Sequence, residues 1–414
     1  MEMQKQSKAI LLLEAFYGGS HKQLIDYLRE MLIRKGHACD CITMSDKKWH
    51  WRMRTSSMFF AQELNHKMEE GKNLSYDTVF TSAVVNLAEL VGLCPVIRNA
   101  RKVLYFHENQ LIYPVRKQQD RDFQYGYNQV VSCLIADVVL FNSEFNKQSF
   151  LNNIKPYMKT MPDYRPSNQV RDKIASKCHV LYYIFRSPVL GSESPTPAKL
   201  RILDEETTSN RPTSASDNSN IIESQINSQD RTVNEESEDS EALDPLHIVW
   251  PHRWEHDKNP EDFFKVMFQL HDEGVPFKLS VIGQTYQDVP EIFETAKRKL
   301  DSVIINWGYQ SRSDYIIIIK NADVAVSTAN HEFFGVSMLE CVSSGCYPLV
   351  PNRLVYPEFF TECYRYNTTT QLHKKLRNLC KSISYTRNHQ VKVDLTRFDE
   401  GVLEKEYLKY ILPT

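Results

Sequence analysis

The sequence predicts an α/β protein made of two similar halves, each a parallel sheet with helices on both faces. Three observations carry this reading. Continuous apolar runs of strand length alternate with stretches of helical periodicity, the pattern of strands buried on both faces and joined by helical crossovers. The alternation occurs twice along the 414 residues. Between the two occurrences lies a long polar stretch, Ser187 to Val249, that contains no Phe, Trp or Tyr.

The first half is expected within residues 1–186. "KAILLLEAF" is its first strand, and "SHKQLIDYLREMLIRKG" follows as a helix closed by Gly36. "DTVFTSA" is a strand, then comes a helix, then the strand "KVLYFHEN". "DVVLFNS" is the next strand, a helix starts near Glu144, and "CHVLYYIF" ends the half as a strand. Residues 187–245 are rich in Ser, Asn, Thr, Asp and Glu, as in "NEESEDSEALD". They bury too little apolar surface to offset the entropy of ordering, so they are expected to be a disordered linker or insertion. The second half, residues 246–414, repeats the grammar. "LHIVWPHRW" is a strand, "PEDFFKVMFQLHDEG" a helix, "FKLSVIG" a strand, "DYIIIIKNA" a helix and "DVAVSTA" a strand. Two Rossmann-like domains facing a central cleft follow, with ligands expected beyond the carboxyl ends of the strands.

Composition narrows the class. Hydrophobic content of 42% and aromatic content of 11% are ordinary for a globular protein with real cores. Nine cysteines, with no Cys-x-x-Cys pair, read as reduced thiols that mostly pack rather than a metal cage or a disulfide framework. The apolar run "AILLL" is broken by Glu14 and is too short for a signal-peptide core or a membrane span, so it reads as the buried first strand. A cytoplasmic location is expected, with the nucleus left open. The net charge of −2 hides an asymmetry. Residues 202–245 hold twelve Asp and Glu against Arg211 and Arg231; setting aside their −10 leaves the remainder at +8. A folded body of that sign can attract a polyanion.

Four motifs fall at the ends of expected strands. In "EAFYGGSHKQL", Gly18 and Gly19 join the first strand to its helix, where backbone can approach a ligand and a helix start offers N–H groups to an anion. This is not Gly-x-Gly-x-x-Gly, so a nicotinamide cofactor is not favoured. In "YFHENQ", His107 and Glu108 follow a buried strand. In "WPHRWEHDKNP", Arg253 and Lys258 can hold a diphosphate, Arg as a planar fork and Lys as a point charge. In "HEFFGVSMLE", Glu332 lies in a loop and Gly335 opens a helix, with backbone N–H groups near Phe334 and Gly335 available to phosphate. Glu340 then sits roughly 7.5 Å further along at 1.5 Å per residue. The two carboxylates therefore serve different points of one extended ligand, and a carboxylate can accept two vicinal hydroxyls.

These stretches resemble the retaining family-four glycosyltransferases, which have the GT-B fold. "HEFFGVSMLE" is similar to their Glu-x7-Glu motif, "HRWEHDKNP" to their Arg and Lys motif, "YGGSHKQL" to their glycine loop, and "FNSEFNKQSF" to a strand–helix entry of the first domain. The longer stretches "KKWHWRMR", "YFHENQLIYPV" and "RDFQYGYNQ" resemble members that mannosylate queuosine in tRNA. The resemblance spans both halves and skips the linker. It implies that Glu340 holds the nucleotide ribose, Glu332 and His107 contact the transferred sugar, and Arg253 and Lys258 neutralise the leaving diphosphate. Gly18 and Gly19 would approach that phosphate or the acceptor, and "NWGYQSR" would border the base. Where the family usually has Gly-Arg, this chain has His252 before Arg253.

The expected chemistry is metal-independent sugar transfer, because fixed cations stand where the leaving diphosphate gains charge and no Asp-x-Asp pair sits at a strand end; the resemblance implies that anomeric configuration is retained. The resemblance implies GDP-mannose as donor substrate, no cofactor, and the cyclopentenediol of queuosine in the tRNA-Asp anticodon loop as acceptor. "KKWHWRMR" interleaves Lys47, Lys48, Arg52 and Arg54 with Trp49 and Trp51, a mixture suited to phosphates and splayed bases. It is equally an amphipathic edge with partly buried tryptophans. Tyr125, Tyr127 and Asn128 could contact a modified base, although Phe123 and Tyr127 are spaced as a helix packing face. Two other classes stay open: a retaining transferase with a lipid, protein or other acceptor, and an RNA-binding protein with a vestigial transferase site. No membrane-binding amphipathic helix supports the lipid acceptor. The oligomeric state is not legible.

Overall fold

The computed structural model describes residues 7–113, 122–164, 169–187, 243–285 and 289–412. The expected linker, residues 187–245, lies almost wholly outside the described residues, as does part of the segment from Arg116 towards Gln129.

The first half holds a six-stranded sheet of β1 (Ala9–Tyr17), β2 (Ala38–Ser45), β3 (Thr78–Ser82), β4 (Arg101–Phe106), β5 (Val138–Phe141) and β6 (Cys178–Val180) in the order β2-β1-β3-β4-β5-β6. The second holds β7 (Leu246–Pro251), β8 (Phe277–Ile282), β9 (Ile304–Gly308), β10 (Val324–Val326), β11 (Tyr347–Pro351) and β12 (Arg365–Tyr366) in the order β12-β11-β10-β7-β8-β9. Every strand pair is parallel. The continuous apolar runs have the expected cause. Along β1, Ile10 and Leu12 enter one core while Leu11 and Leu13 enter another, so a side chain on either face is buried. β7 does the same, with Leu246, Ile248 and Trp250 on one side and Val249 on the other.

Strand order reverses at β1/β3 in the first sheet and at β7/β10 in the second, and crevices for ligands open at such points. Loops leaving strand ends of the two sheets come together. Ser143, after β5, donates its hydroxyl to the Phe333 carbonyl at 2.7 Å. The Glu358 carboxylate accepts from the N–H groups of Glu144 and Phe145 at 3.0 and 3.1 Å, capping the helix Glu144–Met158 from the other half. Tyr113, after β4, meets the His331 ring edge-on at 4.4 Å.

Two details differ from the sequence reading. The run "CHVLYYIF" forms a strand only over Cys178–Val180. Leu181, Tyr183, Ile184 and Phe185 are buried, but the Phe185 N–H bonds to the Phe398 carbonyl instead of a sheet neighbour. The last helix, Glu400–Ile411, follows the second half in sequence yet packs on the first sheet, where Thr78 donates to the Ile411 carbonyl at 2.7 Å and Tyr407 to the Tyr105 hydroxyl at 3.3 Å.

All nine cysteines are free thiols, and only Cys363 is exposed. Among the described residues, no helix is long and apolar enough to cross a membrane.

Candidate functional site

The site in the second half is assembled from the β7 and β10 ends. After β7 the chain turns through a short 3-10 turn, His256–Lys258, into the helix Pro260–Asp272. Asn259 takes a left-handed conformation (φ 53) and its side chain accepts from the Asp262 N–H, while Pro260 fills the first helical position. This turn buries Lys258. Its ammonium donates to the His331 carbonyl at 2.8 Å and to Glu332 Oε2 at 3.2 Å, and lies 3.3 Å from Asp257 Oδ2. The Asp257 carbonyl in turn accepts from the Asn330 and His331 N–H groups, so the two loops are stitched together. Arg253 reaches the same oxygen, Asp257 Oδ2, at 3.3 Å, and pairs with Glu255 at 3.1 Å. Its side chain is 40% exposed, which leaves guanidinium donors free for a ligand.

The buried ammonium sets the protonation of its neighbours. Burial alone would raise the Glu332 carboxyl, but Lys258 and the nearby histidines overcome this and hold it down to about 2. Burial, and then Lys258, push His252 down to about 3 and His331 to about 4, so both rings are neutral near pH 7. The site therefore carries fixed cations, an ionised Glu332 and neutral imidazoles.

Glu332 also shows why "FFG" follows it. Its Oε1 accepts from the N–H groups of Phe333 and Phe334 at 3.2 and 3.4 Å. Phe334 was expected to offer its N–H to phosphate; it aims it at Glu332 instead, and its ring packs against Phe359 and Phe398. Gly335 is left-handed (φ 82), and a Cβ there would lie 3.4 Å from the Tyr356 ring and 3.6 Å from Glu332 Cγ. It opens the helix Val336–Ser343, whose start has no side-chain cap and so offers N–H groups to an anion. Glu340 is buried on that helix, and its Oε1 accepts from Arg312 at 2.6 Å. Arg312 opens the helix after β9, within the "NWGYQSR" stretch. His252, the departure from the family phrase, is tolerated because the neighbouring strand end supplies the space: a Cβ on Gly283 would lie 1.8 Å from the His252 carbonyl oxygen. His252 itself is not among the positive-φ residues.

The first half contributes from the β1, β3 and β4 ends. Gly18 is extended (φ −155), and a Cβ on it would fall 2.2 Å from the Asp46 carboxylate. The leaving phosphate or the acceptor was expected near this glycine and Gly19; at Gly18 the Asp46 carboxylate fills the face a Cβ would occupy. The open, left-handed position is Gly19 (φ 50). From the following helix, His21 turns back to Glu14, its Nδ1 lying 3.2 Å from Oε1, and its ring stacks on His107 at 3.8 Å and 25°. Burial works against a charged His21, but Glu14 and Glu108 outweigh it and its pKa is raised. Burial and His21 together push His107 well down, so His107 is a neutral ring. Glu14, His21 and His107 place their ligand atoms within 4.8 Å of one another. They nevertheless fit a metal ion poorly, because Glu14 Oε1 is already close to Phe16 N, Ser82 Oγ and His21. Beside them is a small, half-open hollow of about 10 Å³, room for little more than one water, lined by His21, Trp49, Ala83, Val84, His107, Glu108 and Gln129.

The expected acceptor residues divide. Lys47, Lys48 and Trp51 face solvent, with Trp51 59% exposed. Trp49 is half-buried against Tyr125 at 5.3 Å, and the Arg54 guanidinium lies 4.7 Å over the same ring. Arg52 bonds to Ser45. These three therefore hold the helix Trp49–Glu69 to its neighbours. Tyr125 and Asn128, expected to touch a base, are buried; the Tyr125 hydroxyl meets His50 at 3.0 Å and Asn128 accepts from Gln124 at 2.6 Å. Tyr127 is exposed and packs with Phe123 at 5.9 Å as helix spacing allows. Sequence reading missed Asp257, Arg312, Tyr113 and Glu14. The one signal was Glu14 itself, a carboxylate inside a buried apolar strand.

Residues 9–184 match the family model described as tRNA-queuosine alpha-mannosyltransferase N-terminal, and residues 233–381 match glycosyl transferases group 1. A Drosophila melanogaster protein described as tRNA-queuosine alpha-mannosyltransferase is 42% identical over 374 residues, 90% of this chain and 87% of its own. Among solved structures, sucrose-phosphate synthase from Thermosynechococcus elongatus superposes with a TM-score of 0.61 at 11% identity, covering 97% of this chain and 98% of its own. Anabaena HepE, solved with UDP and glucose, gives 0.57 at 12% identity with the same coverage. At such identities these structures speak to the fold alone, which is GT-B.

Proposed function

The chain belongs to the tRNA-queuosine alpha-mannosyltransferase family, and from this we propose that it moves mannose from GDP-mannose to the cyclopentenediol of queuosine in the tRNA-Asp anticodon loop. The observation that carries the reading is the convergence of Arg253 and Lys258 on one oxygen of Asp257, with Lys258 also bonded to Glu332, at the switch point of the second sheet.

Breaking the sugar–phosphate bond puts negative charge on the departing diphosphate. Arg253, Lys258 and the uncapped helix start at Gly335 stand as preorganised donors for that charge, the largest common source of rate enhancement. No step of this scheme needs a metal ion. Arg253 has donors to spare, whereas the three contacts of Lys258 match its three N–H groups, so a phosphate oxygen must displace one carboxylate from it. Asp257, already shared with Arg253, is the natural one to yield. Glu340 receives the ribose hydroxyls once it shares or releases Arg312. Ionised Glu332 and neutral His107 hydrogen-bond the mannosyl hydroxyls. The acceptor hydroxyl approaches on the face the diphosphate leaves, which retains the anomeric configuration. Trp51, Lys47 and Lys48 supply the solvent-facing part of the tRNA contact, the ring for a base and the ammoniums for phosphates. The setting is the cytoplasm.

The test is incubation of purified protein with GDP-mannose and queuosine-containing tRNA, followed by nucleoside mass spectrometry. A gain of one hexose on queuosine is expected. Transfer to RNA-free acceptors with none to queuosine would overturn the reading.

A further inference from the structure

The carboxylates of the site are nearly all spoken for. Glu14, Glu255, Asp257, Glu332 and Glu340 each have a cationic partner within 3.3 Å. Glu108 has none among the described residues; its one contact is a long hydrogen bond, 3.5 Å, from the Gln110 amide. Yet Glu108 lines the hollow beside His21 and His107. The cations it senses, His21 in its own half and Arg253 and Lys258 from the other, are held by other carboxylates. A partly buried carboxylate without a counter-ion is costly, and burial raises its pKa despite those cations. A site that strands a carboxylate against an otherwise neutralised pocket is poised for a cation brought by the ligand.

The donor brings no cation, because a nucleotide sugar is anionic at the diphosphate and neutral at the sugar. The acceptor does. Queuosine joins its cyclopentenediol to the base through a secondary amine that is protonated near neutral pH. We propose that the small hollow beside His107 marks the subsite for this side chain and widens to admit it, with Glu108 pairing the secondary ammonium and so selecting queuosine over an unmodified guanosine. The inference rests on the acceptor reading above. The rest of the lining suits the same ligand. Trp49 offers an aromatic face that favours a desolvated cation. Gln129 offers an amide, although its Oε1 accepts from the Gln110 N–H at 2.8 Å and its Nε2 is turned towards the Ala83 carbonyl at 3.4 Å. Ala83 and Val84 give an apolar wall for the ring carbons. His107 borders both the hollow and the expected mannosyl position, which brings the diol to the reacting carbon. Glu108 is thus a specificity-determining residue: it touches the acceptor but not the bond being made.

The experiment is a cycle of two changes. Kinetics of the full chain are measured with queuosine-containing tRNA and with the same tRNA after acylation of the secondary amine, for unaltered protein, Glu108→Gln and Glu108→Asp. A charged hydrogen bond of this kind predicts that Glu108→Gln raises the KM for queuosine-tRNA about tenfold to a hundredfold. The KM for GDP-mannose should stay within about twofold, and Glu108→Asp should recover part of the loss. Acylation should cost the unaltered protein as much as the substitution does, and cost Glu108→Gln almost nothing more, since the two changes remove one interaction. Additive losses, or a rise in the donor KM with the tRNA KM unmoved, would overturn the inference while leaving the mannosyl transfer intact. No transfer to queuosine by the unaltered protein would sink the acceptor reading and this inference with it.

Discussion

Replacing Lys258 by Met removes the ammonium that His331, Glu332 and Asp257 share, while keeping most of the side-chain volume. Two effects follow, and the structure sizes both. In catalysis, losing one preorganised donor to the leaving group costs about 3–4 kcal/mol, or roughly two to three orders of magnitude in kcat. In stability, the Glu332 carboxyl loses the main partner that holds it near 2, against an ordinary value of 4.5. The sign follows from the direction of the shift. A carboxyl lowered in the folded state adds stability that is present above its unfolded pKa and disappears as pH falls towards its folded one. Between pH 4.5 and 2 the full swing is about 3 kcal/mol, of which about 1.4 kcal/mol is gone by pH 3.5. Urea unfolding at pH 6.0 and pH 3.5 reads this directly. The unaltered protein should lose at least about 1.4 kcal/mol more between these two conditions than Lys258→Met, because Lys258 also holds His252 and His331 down and their release in the variant lessens its own loss on acidification. At pH 6.0 the variant should be the less stable, since the half-buried Glu332 and the His331 carbonyl have lost their partner and Asp257 keeps only Arg253. Equal pH slopes for the two proteins, or a variant retaining more than a tenth of kcat, would refute the reasoning.

Arg312→Ala frees Glu340 from its only ion pair among the described residues; steady-state kinetics should show the donor KM rising about tenfold with kcat changed less than threefold, as for a residue that orients a binding group. Gly283→Ala places a methyl where the His252 carbonyl lies, 1.8 Å away, and must displace the turn that carries Arg253; activity assays should show at least about a tenfold loss and thermal melting a lower Tm. Trp51→Ala should weaken tRNA binding by about 1–3 kcal/mol in a filter-binding assay, with Tm unchanged, because the ring is exposed and stacks on no other ring among the described residues.

Much of the fold was legible because β1 and β7 are buried on both faces and so read as unbroken apolar runs. Their ends also had to carry the motifs, since ligands bind at strand ends of this topology. β2 was not legible: in "ACDCITMS" Asp40, Thr43 and Ser45 break up the apolar residues, and on this edge strand only Ile42 is buried. The run after β6 misled for the opposite reason, since Leu181 to Phe185 are buried against other segments without extending the sheet. At the site, the separate presence of Arg253, Lys258, Glu332 and Glu340 was readable from spacing. Their pairing was not: Lys258 with Glu332 and Arg312 with Glu340 depend on how loops 74 and 28 residues apart meet, and the sharing of Asp257 by Arg253 and Lys258 depends on how one short turn folds. "KKWHWRMR" shows the limit most clearly. Its alternation of cations and tryptophans says nothing of which members pack, and Trp49 and Arg54 both settle against Tyr125.

The most direct test of the account is nucleoside mass spectrometry of tRNA from cells that lack this protein. Mannosylated queuosine should vanish, plain queuosine should accumulate in its place, and the unaltered protein but not Glu332→Gln should restore it. Mannosylated queuosine persisting without the protein, or returning fully with Glu332→Gln, would contradict the account.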